Sequence, residues 1–187
     1  KGHDDKDGTS LGDDKCALKA DAVKKIAVAN DNANYKVAAG AIYSMDGKTL
    51  VAVANNTLKE LKIADGTEVI AANAFDLATG ISSITFPATL VNVKAGALDV
   101  TGWFKSKSAG AVYAGPVLYK VIGNGADLKI ADKTTAIADN AVNNAAVKNV
   151  TIPATVKVIG AYAFANSGIV EIVIPNSVTT IGNNAFE

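Results

Sequence analysis

The stretch "VTIPATVKVIGAYAF" at residues 150–164 returns 22 residues later as "IVIPNSVTTIGNNAF" at 172–186. In the later copy the apolar slots are Ile169, Ile172, Ile174, Val178, Ile181, Ala185 and Phe186, with Pro175 among them. One period earlier the same slots hold Val147, Val150, Ile152, Val156, Ile159, Ala163 and Phe164, with Pro153. A fixed period of this length marks a solenoid in which each unit is one coil and buries its apolar face only against its neighbours.

Working outward, Leu128, Ile130, Ile137 and Ala141 continue the pattern, with Ala131 in the proline slot and Val142 in the phenylalanine slot. Ile81, Ile84, Phe86, Pro87, Leu90, Val93, Ala97 and Leu98 fit throughout. Leu58, Leu61, Ile63, Ile70, Ala74 and Phe75 fit too, with Ala64 for proline. That makes five recognisable units.

Within a unit, "IVEIVIP" alternates Ile172 and Ile174 with Glu171 and Val173, which predicts a short strand with one buried face. Proline, having no N–H to donate, ends the ladder. Val178 and Ile181 then turn inward, and Gly182 is expected to permit a backbone turn.

The stretch from Trp103 to Asn124 is one period long but fits the template poorly. It carries a second kind of recurrence. "AGAVY" at 109–113 echoes "AGAIY" at 39–43, and "LKIAD" stands identically at 61–65 and 128–132. A larger block is duplicated, each copy opening on a hairpin-like lead-in; Asp46-Gly47 marks the first tight turn.

These readings divide the chain into a disordered polar tail or tether at 1–15, an N-terminal cap with a helix over 16–30 and an extent of 16–38, and a solenoid at 39–187 with an irregular coil near 99–124. The fold class expected is an α/β repeat solenoid, a right-handed coil rich in short strands with turns or short helices.

Composition narrows the function. All 18 basic residues are Lys and balance 18 acidic ones, so no net field recruits nucleic acid or an anionic membrane. Without Arg, the planar fork suited to phosphate or guanine is missing. The 49% hydrophobic content comes from scattered Ala, and no apolar run approaches the roughly 20 residues of a membrane-spanning helix. No apolar signal core opens the chain, which leaves a cytoplasmic protein or a signal segment already removed.

Chemistry-bearing residues are sparse. His3 is the only histidine, and Cys16 the only cysteine; neither has a catalytic or metal-binding partner set. The acidic run from His3 to Asp14 loosely echoes a calcium loop but lacks the acidic first and Glu twelfth ligands. "GNGADL" at 123–128 puts Leu128 where a dinucleotide loop needs glycine, so it reads as a turn. Asn55 and Asn149 open glycosylation triplets. Trp103 and Phe104 are either exposed anchors for a sugar or protein, or, as aromatic burial favours, the core of the distorted coil. No enzyme activity, cofactor or metal is expected.

The better candidate is a surface. The outward strand positions stack into rows: Glu60 and Lys62, Ser83 and Thr85, Asp127 and Lys129, Asn149 and Thr151, Glu171 and Val173. Solenoids present such ladders as extended binding faces. The mixture of charge and hydroxyl suits a protein or a glycan better than a polyanion.

The pattern I/V-x-I-P-x-x-V-x-x-I-x-x-x-A-F, with the "GAIYSMDGKTLVAV" lead-in at 40–53, resembles the BspA-type (Treponema-type) leucine-rich repeats of bacterial surface proteins. That resemblance implies secretion or cell-surface display, and adhesion to extracellular matrix proteins, other surface proteins or glycans. A structural spacer, or a module that self-associates through its final coil, is the alternative.

Overall fold

In the computed structural model, the described residues are 26–53, 55, 57–123, 125–143 and 146–187. They build a β-solenoid whose coils contribute two very short strands, or one in the last coil, joined by turns. The first-strand positions are β4 (Glu60–Lys62), β6 (Ser83–Thr85), β10 (Asp127–Lys129) and β12 (Asn149–Thr151). The second-strand positions are β5 (Val69–Ile70), β7 (Asn92–Val93), β11 (Ala136–Ile137), β13 (Val158–Ile159) and β14 (Thr180–Ile181).

Each duplicated block opens on antiparallel strands, as the lead-in motifs predict. In the first, β1 (Tyr35–Ala38), β2 (Ala41–Ser44) and β3 (Thr49–Val53) form a meander. Its Asp46-Gly47 turn has Gly47 at φ +78° and a 2.8 Å bond from the Gly47 N–H to the Ser44 carbonyl. In the second, β8 (Gly110–Ala114) and β9 (Val117–Ile122) form one hairpin. From there the second strands run in parallel: β3–β5–β7 in one block, β9–β11–β13–β14 in the other. Sequence duplication has therefore produced twin five-stranded sheets.

Helix is scarce. The single helix among the described residues is α1 (Gly102–Lys105), so the α/β expectation gives way to a nearly pure β-solenoid. Coils this short reverse direction by turns, and a helix needs several turns before its own hydrogen bonds repay nucleation. Residues 1–25, which hold the expected tail and most of the expected cap helix, lie outside the described residues; 26–30 are not helical.

The core is the stack of template slots. Leu61, Ile63, Ile70, Phe75, Ile81, Leu90, Val93, Leu98, Ile130, Ile137, Ile159 and Phe164 are all buried. Hydroxyls bind coil to coil at the same repeat slot: Thr89 Oγ1 donates to the Thr67 carbonyl and Thr155 Oγ1 to the Thr134 carbonyl, both at 2.7 Å. Ser177 Oγ donates to the Val156 carbonyl at 2.8 Å.

Two sequence expectations need correction. Gly182 and its counterpart Gly160 do not occupy the left-handed region; the residue two positions later does. Asn73, Gly96, Asn140, Tyr162 and Asn184 share that slot, at φ between 54° and 71°. The glycines are needed for close approach: a Cβ on Gly160 would lie 2.5 Å from Asp139 Oδ1 and 2.6 Å from its backbone N, and one on Gly182 would collide with the Ala161 N.

The second correction concerns 171–173, which form no strand. Ile169, Ile172 and Ile174 do pack against the core, as their periodicity demands. Periodicity places side chains, but a ladder also needs backbone within reach of β12. A cleft of about 380 Å³ is lined by Phe164, Ile169, Val170, Ile172 and Phe186.

Candidate functional site

The first strands carry the candidate surface. In β4 and β10 the middle residue, Leu61 or Leu128, is buried while its neighbours are exposed; β6 and β12 follow the same in–out alternation with Ile84 and Val150 half-buried. Parallel pairing sets Glu60 beside Ser83 and Lys62 beside Thr85. In the second block it sets Asp127 beside Asn149 and Lys129 beside Thr151. Each block thus presents the same array of acid, lysine, small polar group and threonine.

The face is polarised across the strands. Glu60, Ser83, Asp127 and Asn149 make one row, and Lys62, Thr85, Lys129 and Thr151 the other. The first row carries the acids and the second the lysines. Asn149 Nδ2 donates to Asp127 Oδ1 at 2.6 Å, linking adjacent coils. Lys62 Nζ lies 3.5 Å from Asp65 Oδ2, but both side chains are mostly exposed, so this pair adds little stability and leaves Lys62 available.

The row is not continuous. Between the two blocks α1 takes the strand's place, so β4–β6 and β10–β12 are separate two-stranded sheets. Thr101 fixes this interruption: its Oγ1 accepts the Phe104 N–H at 3.1 Å and donates to the Leu98 carbonyl at 2.7 Å. The Trp103 and Gly102 N–H groups bond the carbonyls of Ile81 and Thr79 in the coil before. Trp103 is buried, edge-on to Phe86 at 5.2 Å, which fits its reading as core. Phe104 is half-buried, edge-on to Tyr119 at 5.6 Å. Lys107 Nζ lies 4.5 Å from the Trp103 ring centre, a cation–π contact at the surface. Glu171 and Val173 are exposed but join neither sheet.

One side-chain cluster was not anticipated. Asp139 Oδ1 accepts the Ala161 N–H at 3.0 Å and Asn92 Nδ2 at 3.2 Å, while Oδ2 meets Lys94 Nζ at 3.0 Å. It clamps the junction between the blocks. The sequence held a signal: the same slot is Ala72, Ala95, Ala161 or Asn183 in the other coils, so an acid there breaks the pattern.

His3, Cys16 and the acidic run lie outside the described residues. Among the described residues no group of His, Cys, Asp or Glu is arranged to hold a metal ion. No helix among them is long and apolar enough to cross a membrane. Asn55 is engaged locally, its Oδ1 accepting the Thr57 N–H and hydroxyl at 2.8 and 2.7 Å.

Stacked coils with a polar strand face define a repeat-solenoid protein, the class that recognises partners over extended surfaces. More particularly, the chain belongs to the BspA type leucine rich repeat family, whose repeat matches residues 51–106 and 119–187 in six copies. The unmatched gap falls on the turn out of α1 and on β8.

Among solved structures, a leucine-rich repeat protein from Eubacterium ventriosum aligns at 19% identity and TM-score 0.44, over 94% of this chain and 55% of its own. The T. pallidum leucine-rich repeat protein aligns at 18% and 0.36, over 79% and 82%. A leucine-rich cell surface protein from Faecalibacterium prausnitzii aligns at 16% and 0.34, over 84% and 53%. The chain thus spans about half the length of the first and third of these. No curated protein sequence matches the chain.

Proposed function

We propose that this chain is a secreted or surface-displayed recognition module that binds protein or glycan ligands through its first-strand face, with no chemical step. The observation that carries this reading is the duplicated array: each block places an acid, a lysine and two small polar side chains outward on a buried-residue scaffold. Rigid strands hold these groups at fixed spacing, which lowers the entropy lost on binding. Family membership supports the reading, and the name of the F. prausnitzii relative describes that protein as a cell surface one.

The test is a binding screen of the purified chain against arrayed matrix proteins, mucins and glycans, beside a Lys62→Glu/Lys129→Glu variant. A hit that the variant loses, with its circular dichroism unchanged, assigns recognition to this face. A hit that the variant retains at full strength moves recognition elsewhere on the solenoid.

A further inference from the structure

The polarity of the strand face has a geometric consequence. Glu60 and Lys62 flank the buried Leu61, and Asp127 and Lys129 flank the buried Leu128. The acids lie on one side of the line through the buried residues and the lysines on the other. Rotating a second copy by two-fold symmetry about an axis parallel to that line, in the plane of the face, brings the two faces together. The operation reverses strand direction and keeps each coil opposite its own counterpart.

Glu60 then faces the partner's Lys62, and Asp127 faces the partner's Lys129. Ser83 faces the partner's Thr85, and Asn149 the partner's Thr151. Every charged pair occurs twice, as an isologous interface requires. The other in-plane two-fold, parallel to the strands, keeps acid row over acid row and lysine row over lysine row. Like charges across an interface suppress that arrangement.

We propose that the strand face docks on a second copy of this chain, two solenoids lying parallel and face to face about that axis. The proposal rests on the reading of this face as a recognition surface and names its partner. The two patches stand three coils apart, about 14 Å at the usual strand spacing. Lys105 and Lys107, at the end of and just after the α1 that separates the patches, are exposed and add positive charge there. The contact is therefore two small ionic patches, well short of the roughly 800 Å² per partner of a standard stable interface. It is weak and salt-sensitive in solution, and gains avidity when many copies are displayed on a surface.

The test uses the whole chain and sedimentation equilibrium at low and high ionic strength. The wild type is expected to dimerise at low ionic strength and dissociate as salt is added. A Lys62→Glu/Lys129→Glu variant leaves only acids at the four charged strand positions, and a Glu60→Lys/Asp127→Lys variant only lysines. Each alone should self-associate about 10-fold or more weakly than wild type. Mixed together they should form a heterodimer.

That recovery also shows both variants to be folded. A wild type that stays monomeric at low ionic strength overturns the proposal. So do charge variants that dimerise as well as wild type, or that fail to combine on mixing. In any of these cases a hit on the ligand array that the acidic variant loses keeps the strand face as a recognition surface, so the two readings fail separately.

Discussion

The Tyr43 hydroxyl accepts the backbone N–H of Ala64 at 3.1 Å, and Tyr113, in the matching hairpin of the second block, accepts that of Ala131 at 3.0 Å. Ala64 and Ala131 occupy the slot that holds Pro87, Pro153 and Pro175 in the other coils. A proline there has no N–H to satisfy; an alanine has one, and the hairpin tyrosine of the coil before supplies its acceptor. The two recognisable units without proline are the two that follow hairpins, and in both the alanine N–H has a tyrosine acceptor.

Tyr43→Phe should therefore destabilise the chain by about 1–3 kcal/mol, since it strands a partly buried N–H and unpacks nothing. Adding Ala64→Pro should restore most of that loss, because the slot already accommodates proline in three other coils. Tyr113→Phe should cost less, Ala131 being exposed. Urea unfolding of the single and double variants measures the coupling.

Gly160→Ala and Gly182→Ala should each cost roughly 1–3 kcal/mol, the penalty of overpacking against backbone that cannot move aside. Gly125→Ala, whose Cβ would have its nearest neighbour at 3.9 Å, should stay within about 0.5 kcal/mol of wild type. Midpoints of thermal unfolding rank the three.

Tyr162 is the one bulky side chain in the left-handed slot, at φ 54°, and is 43% exposed. Tyr162→Asn brings in the residue that fills this slot in three other coils. It should raise stability by about 0.5–1 kcal/mol by relieving strain, with the fold unchanged by circular dichroism.

Burial pushes the phenols of Tyr43 and Tyr119 up, and for Tyr119 the bond donated to Asp99 Oδ1 at 2.6 Å adds to this. The folded chain keeps these protons where the unfolded chain releases them, near pH 10 for a free tyrosine. Their contribution is thus complete below about pH 10 and is lost as pH rises above it. Stability measured against pH should fall across the alkaline range, and Tyr119→Phe should make that fall shallower while lowering stability at neutral pH.

Much of this was legible in the residues. In the coils before the last, the Val, Ile-x and Ala-Phe slots are largely buried where their period placed them, and Asp46-Gly47 turns a hairpin; in the last coil Ile181 and Phe186, expected inward, are exposed. Both signals are local or strictly periodic, and a buried slot in a repeat has equivalent neighbours wherever a coil is stacked on both sides of it. The outward side chains of β4, β6, β10 and β12 were legible for the same reason: alternation fixes which side of a strand a residue takes.

What depends on contact between coils was not legible. Gly182 reads as a turn residue, yet it answers to the backbone of Ala161 lying against it. Residues 171–173 carry the strand pattern but not the strand, because pairing needs β12 within hydrogen-bonding reach. The strand face reads as one row, yet α1 divides it in two.

The sequence by itself determined the period, the core slots, the hairpins and the side of the sheet on which each candidate residue stands, because these follow from spacing along one chain. Only the tertiary structure decided which backbone groups meet. It paired Tyr43 with Ala64 and Asp139 with Lys94 and Ala161, set acids and lysines in opposite rows, and interrupted those rows at α1. The named contacts join residues 21 or more positions apart, fixed by the stacking of whole coils.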